Sequence, residues 1–487
     1  LVITVIHGLG GIGKSTLAAA LAHNKQVQAH FCDGILWATL GQQPDVLSLL
    51  SGWVQALGDH NFKSPSIEAT TSHLRTLLND KAVLLIVDDA WDTKHAQAFK
   101  VGGARCHLLV TTREGVIAKV LGACTYSLDA MKPAQAMELL TKKFGRGITD
   151  AEQSNVKALA KEYGYLPLAL ELAADQVASG KSWVVLLQDT QQEIARLKTL
   201  DDLEASDVTD EASLKRLSLT ASFSLSIKRL PEEKRKNFIW LGVLPEDTII
   251  TPAMTATLWD LDEQDAAQTL QYLLNKSLLS INSSFVTSSY GFENFEDAVA
   301  FFLPEYVKEM QRKAEFLVNE IPTYRLHDLL HDWARNLLTA PVIPKRQGDL
   351  PGLGLTLANA HAELLRKYRG KTQNGLWYTL PDDSYIHQHL AWHLEKADLM
   401  EEIHQLWHQE LVETDNEWLK VREQLGQERG YMNDLRRAID LLSSPRIRDI
   451  NLITKAMKMI AKIMERESTL LNDMHENAMS SIRQIKA

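Results

Sequence analysis

The nine residues GLGGIGKST, Gly8 to Thr16, constrain this chain more than any other stretch. They follow the apolar run LVITVI and lead into LAAALA. Gly, four free positions, Gly, Lys, then Ser or Thr is the pattern of a loop that cradles phosphate between a buried strand and a helix. Gly8, Gly13, Lys14 and Ser15 supply it. Glycines let successive backbone N–H groups curl around an anion, and a helix starting near Lys14 points its positive dipole end at the phosphates. Lys14 is placed to reach the β- and γ-phosphates, and the Ser15 hydroxyl to bind Mg2+. The candidate nucleotide-binding residues are Gly8, Gly10, Gly11, Ile12, Gly13, Lys14, Ser15 and Thr16. Chance gives roughly one or two such matches per hundred chains of this length. The flanking strand and the small-residue helix lower that further.

At 487 residues the chain predicts roughly three domains. Hydrophobic residues at 45% and charged residues at 23% are ordinary for a globular protein, so sizeable cores are possible. The formal net charge of −10 argues against general affinity for nucleic acid or anionic membranes. Cys32, Cys106 and Cys124 are widely spaced with no CxxC, which fits a reducing cytoplasm and no disulfide frame. No run of 18 apolar residues is present to span a membrane. LVITVI is too short for a signal peptide and runs straight into the phosphate loop. The chain starts inside a strand without an initiator Met, and reads as part of something longer.

Further along, GILWATL (Gly34 to Leu40) reads as a strand, VLSLLSGWVQAL (Val46 to Leu57) and IEATTSHLRTLLND (Ile67 to Asp80) as helices. AVLLIVDDAWD (Ala82 to Asp92) is a buried strand ending in carboxylates, at the sheet edge where open α/β folds bind ligands. Asp88 is then the Mg2+-side carboxylate, and Asp89 the candidate to orient or deprotonate the attacking water. HLLVTTRE (His107 to Glu114) is a second buried strand, whose Arg113 can present planar donors to a γ-phosphate, with Thr111 and Thr112 bonding nearby. Strand–helix alternation over about the first 125 residues gives a parallel sheet covered on both faces.

From Lys132 the pattern turns helical. GYLPLAL (Gly164 to Leu170) puts Pro167 at a helix start. A run of short helices ends in YRLHDLLHDWARNLL (Tyr324 to Leu338), interrupted by a polar and aromatic insertion, and PVIPKRQGDLPGLG (Pro341 to Gly354) is a linker. Beyond it, YIHQHLAWHLEKADLMEEIHQLW and DNEWLKVREQ read as helices, followed by a mostly polar long helix from Arg448. His387, His389, His393, His404 and His408 are dense, but no HExxH appears and no Cys is near. They read as solvent-facing or capping residues rather than a zinc site, as does the pair His327/His331. Trp259, Trp392 and Trp407 read as core or interface aromatics.

GLGGIGKST, LLIVDDAWD, LLVTTRE, GYLPLAL and RLHDLLHD stand in a fixed order. Together they resemble the NB-ARC or apoptotic-ATPase family of the STAND class of P-loop NTPases, in its bacterial form. The resemblance runs from Leu1 to Leu338 and, more weakly, from Tyr385 to Glu423, the stretch that contains HLAWHLEKAD. It implies an α/β P-loop domain at 1–130, a helical domain at 131–205, and a winged helix at 206–340 with an insertion at about 283–320. The linker at 341–354 and a second helical domain at 355–487 would follow. It also implies ADP or ATP with Mg2+ as ligands. Lys14 and Ser15 would hold phosphate and metal, Asp88 would assist the metal, and Asp89 would be the hydrolytic carboxylate. Arg113 would sense the γ-phosphate, Pro167 would contact adenine, and His327 of the His327–Asp328 pair would bind the ADP β-phosphate. Leu326 stands where the family more often has Met.

The implied function is a switch in defence or cell-death-type signalling: locked closed by ADP, opened by ATP, and self-associating when open. Turnover is expected to be slow, since Asp89 is one methylene shorter than the Glu of fast ATPases. Family members carry an effector domain before the phosphate loop and a sensing repeat domain after the helical part, neither of which is in this stretch. The alternatives are a nucleotide-dependent DNA-binding transcription regulator and a continuously cycling ATPase. Acids in LWDLDEQDAAQTLQYLLNKSLL, against one Lys276, weigh against groove reading.

Overall fold

The computed structural model describes residues 1–42, 44–59, 62, 66–201, 211–281, 322–413, 416–443 and 449–463. The insertion expected at about 283–320, the boundary at 205/206 and the end of the long polar helix lie outside the described residues. The chain forms two compact units: Leu1–Ile250 with Ala267–Leu337 and Pro344–Pro351, and Thr251–Ala266 with Leu338–Ile343 and Gly352–Ala487.

The first unit is built on five parallel strands, β1 (Val2–His7), β2 (Ile35–Gly41), β3 (Leu84–Ala90), β4 (His107–Thr112) and β5 (Cys124–Ser127). Their order is β2-β3-β4-β1-β5. The alternation of side chains along each strand feeds two cores. Leu85, Val87, Leu108 and Val110 face one way, into a cluster with Leu50, Trp53, Leu74 and Phe99. Leu84, Ile86 and Leu109 face the other, onto Leu17, Ala18 and Ala22. β3 is buried at all seven positions, which is why its sequence is apolar without alternation. Helices α1 (Lys14–His23), α2 (Lys25–His30), α3 (Val46–Ala56), α4 (Ile67–Leu78), α5 (Thr93–Ala98) and α6 (Gly115–Leu121) cover the sheet. Asp45, Ser66 and Asp92 cap three of them by accepting backbone N–H bonds. The short α2, α5 and α6 and strand β5 were not legible as periodic stretches.

A helical block follows: α7 (Pro133–Phe144), α8 (Asp150–Glu162), α9 (Pro167–Ala178), α10 (Trp183–Asp201) and α11 (Glu211–Lys228). The segment expected to be a winged helix supplies α12 (Glu232–Trp240), a 3-10 turn at Leu241–Val243, α13 (Pro252–Trp259) and α14 (Glu263–Leu274). An antiparallel ribbon of β6 (Ser280–Ile281) and β7 (Tyr324–Arg325) and then α15 (Asp328–Thr339) complete it. No helix among the described residues is long and apolar enough to cross a membrane.

The second unit is helical: α13 falls in it, with α16 (Leu357–Arg369), α17 (Ile386–Lys396), α18 (Met400–His408), α19 (Glu417–Gln424) and α20 (Glu428–Leu442), and helix again over 450–463. Two expectations are corrected here. The stretch from Tyr385 to Trp407 is two helices, because Asp398 takes a left-handed backbone (φ 56°) between them. The histidines are not all at the surface: His387 and His393 are buried. His393 takes part in an internal chain in which Tyr385 Oη lies 2.6 Å from its Nε2 and His361 Nδ1 lies 2.7 Å from its Nδ1. Trp259 and Trp407 are core residues as expected.

Candidate functional site

In this strand order the chain leaves β1 toward β2 on one side and reaches β5 on the other, so a crevice opens at the carboxyl ends of β1 and β4. The phosphate loop lies there, between β1 and α1. Gly11 (φ 72°) and Gly13 (φ 97°) take backbone conformations that side chains rarely adopt, and these turn the loop's N–H groups. A Cβ on Gly8 would sit 2.6 Å from the Leu128 carbonyl oxygen, and one on Gly10 would sit 2.9 Å from Leu329 Cδ1. Ile12 is buried beneath the loop, while Ser15 and Thr16 are exposed at the start of α1.

Lys14 donates to the Gly8 and Leu9 carbonyls at 3.1 and 3.0 Å. Burial, and then Arg113, push its ammonium down to about 8, with Asp89, Asp88 and Asp328 opposing. A buried cation of this kind fits a polyanionic ligand. Asp88 is a fitting metal-side carboxylate: burial raises its pKa, and the Thr111 and Ser15 hydroxyls hydrogen-bond it. A divalent ion held by Ser15 and Asp88 would keep the carboxyl ionised.

The register of β3 against β4 shifts between Val87 and Ala90, so Asp88 and Asp89 drop out of that pairing, while Asp88 still pairs with Thr39 of β2. Thr111 fills the gap. Its hydroxyl donates to Asp88 Oδ1 at 2.5 Å and accepts the Asp89 N–H at 2.9 Å. Thr112 donates to the Ala90 carbonyl at 2.6 Å. Asp89 has φ 50° and accepts from the Trp91 indole at 2.7 Å. Burial and Asp328 raise its carboxyl to about 6, with Trp91 and Arg113 opposing.

Arg113 Nη2 donates to Asp328 Oδ2 at 2.8 Å, its Nε stands 4.0 Å from Asp89, and its guanidinium lies 4.8 Å over the Trp91 ring. The end of β4 is thereby joined to the start of α15. His327 caps that helix: its Nδ1 accepts the Leu329 N–H at 3.2 Å. An accepting Nδ1 leaves the proton on Nε2, so the exposed ring offers an N–H donor. The protein around it lowers the imidazole's pKa, Asp328 opposing. Pro167 is the first residue of α9, and the neighbouring Leu168 side chain lies 3.4 Å from where a Gly11 Cβ would be.

Four residues at the site escaped sequence reasoning. Trp91 had a faint signal, standing two positions from Asp89. Leu329 and Leu168 show only apolar periodicity. Asp247 lies far from every motif; burial, then Asp328 and Asp89, raise its carboxyl to about 7.

Fold and loop together define a P-loop nucleotide-binding protein. Residues 1–149 match the NB-ARC domain and residues 357–483 match the APAF-1 helical domain. The chain therefore carries an NB-ARC domain followed by an APAF-1-type helical domain. The regulatory protein AfsR of Streptomyces coelicolor is 31% identical over 282 residues, 57% of this chain and 27% of that protein. The putative disease resistance protein RGA4 of Solanum bulbocastanum is 26% identical over 69% of this chain and 31% of its own length. Apoptotic protease-activating factor 1 of Homo sapiens is 25% identical over 56% of this chain and 22% of its own. The matched stretch is therefore less than a third of these relatives. A STAND ATPase with a tetratricopeptide repeat sensor from Pyrococcus horikoshii aligns with 96% of this chain and 62% of its own, at 14% identity and a TM-score of 0.41.

Proposed function

We propose that this chain is the ADP/ATP-responsive switch of a larger signalling NTPase, of the defence or cell-death type. The Arg113–Asp328 ion pair is the observation that carries the reading. A ligand shifts a conformational balance only by binding its two states unequally. Arg113 has one guanidinium and two uses for it. Held by Asp328, it keeps the start of α15 against the phosphate loop, where Leu329 lies over Gly10 and His327 precedes Asp328. Turned to a third phosphate, it releases Asp328.

ADP would therefore be held in the closed state by Lys14, the loop N–H groups and His327, and ATP would favour the open state, which self-associates. Pro167 would contact adenine. Mg2+ held by Ser15 and Asp88 would neutralise phosphate charge. Moving the balance from 1:99 to 99:1 takes about 5.5 kcal/mol of differential affinity. Asp89, as the hydrolytic carboxylate, is tied to Trp91 and Arg113, and turnover is slow. Effector and sensor domains of the parent protein would supply output and trigger. Duplex DNA is not the expected partner, since the region LWDLDEQDAAQTLQYLLNKSLL carries several acids against one Lys276.

The test is the nucleotide that co-purifies and the steady-state rate. Bound ADP with turnover below about 1 s⁻¹ supports the switch. Nucleotide-free protein hydrolysing ATP at or above that rate supports a cycling ATPase instead.

A further inference from the structure

Away from the phosphate loop, one ring nitrogen of His331 and one carboxylate oxygen each of Glu246 and Asp332 lie within 4.8 Å of one another. His331 and Asp332 are adjacent in the first half of α15, and Glu246 lies on the loop after the 3-10 turn. Burial, and then Asp332, raise the Glu246 carboxyl above the usual range, with Arg335 opposing. Acidic clusters alone say little. His331 adds an independent sign. Its side chain is 3% exposed, and its Nε2 lies 2.9 Å from the Leu244 carbonyl oxygen. A carbonyl can only accept, so the proton is on Nε2 and Nδ1 is a bare lone pair. Among the described residues nothing donates to that Nδ1. An imidazole whose one N–H is fixed on a carbonyl and whose other nitrogen is free is in the state of a metal ligand.

We propose that Glu246, His331 and Asp332 form a site for a divalent first-row transition-metal ion, distinct from the Mg2+ position at Ser15 and Asp88. One imidazole nitrogen with two carboxylate oxygens suits Zn2+, Mn2+ or Co2+, whereas Mg2+ and Ca2+ prefer all-oxygen shells. Three protein ligands leave room for water to complete the coordination. The ion ties the Glu246 loop to α15, the helix that begins beside His327 with Asp328, and favours that packing by mass action. The proposal holds whether or not the nucleotide acts as a switch.

The test uses the full chain, stripped with chelator, dialysed, and titrated with Zn2+ by calorimetry with and without saturating MgADP. One equivalent should bind in both conditions, undisturbed by excess Mg2+. Glu246→Gln and Asp332→Asn, isosteric changes at half-buried positions, should each weaken it about tenfold or more. Both should unfold at the wild-type temperature in chelator; should one not, His331→Gln replaces it. Co2+ should bind the wild-type chain at the same stoichiometry, with a visible absorption band that one equivalent of Zn2+ removes. Failure to take up Zn2+ at micromolar metal overturns the proposal, as does equal uptake by wild type and variants.

Discussion

At the scale of single residues, the Arg113–Asp328 contact is the joint most open to measurement. The two side chains are only 16% and 25% exposed, so solvent screens the pair less than a surface bridge. Hydrogen bonds to charged groups contribute about 1.5–3 kcal/mol. A double-mutant cycle of Arg113→Ala and Asp328→Ala on unfolding free energy should return a coupling energy in that range. A value near zero would mean that Arg113 is held by Trp91 and Asp89 instead. Gly242 is a second single-residue test. A Cβ there would fall 2.4 Å from the Arg335 amide nitrogen and 2.6 Å from the Ala334 carbonyl carbon, both backbone atoms of α15. Gly242→Ala should therefore cost about 1–3 kcal/mol of stability by overpacking. Chemical denaturation with an unchanged m-value would check it.

At the scale of elements, α10 and α11 are clamped by one carboxylate. Glu193 takes Arg196 at 2.7 Å, Lys228 at 2.8 Å and Ser224 at 2.6 Å. Burial alone would raise its pKa, but these donors together bring it down to about 2. A carboxyl depressed in the folded state adds stability that is full above its unfolded value of about 4.3 and is lost as pH falls toward 2. Glu193→Gln should flatten stability over that window, and acid titration of the unfolding midpoint reads it. In α17 the sign is the same for a different reason. Burial, with His361 and His389 nearby, holds His393 well below the ordinary histidine range. Its charged form is disfavoured in the fold, so stability is full above about 6.5 and falls as pH drops below it. His393→Leu should reduce this dependence. What the sequence made legible follows the same physics. β3 and β4 announce themselves because both faces are buried, and the phosphate loop because its backbone demands glycine. α2 and α5, at six residues each, are too short to show a period. Asp247 joins the site through tertiary placement, which no spacing encodes.

At the scale of the whole molecule, the NB-ARC core makes one small crevice the meeting point of distant segments. Residues 8–16, 88–91, 111–113, 167–168 and 327–329 converge on it, spread over more than three hundred positions of chain. A ligand that contacts all of them can bias the packing of the first unit in a way that no single motif can. In the proposed switch, His327 latches this packing by holding bound diphosphate. Release of a fluorescent ADP analogue from wild-type chain and from His327→Ala, with size-exclusion elution of each, tests it most directly. Faster release and a larger oligomeric fraction in the variant are predicted. Unchanged release with the same monomeric elution would contradict it.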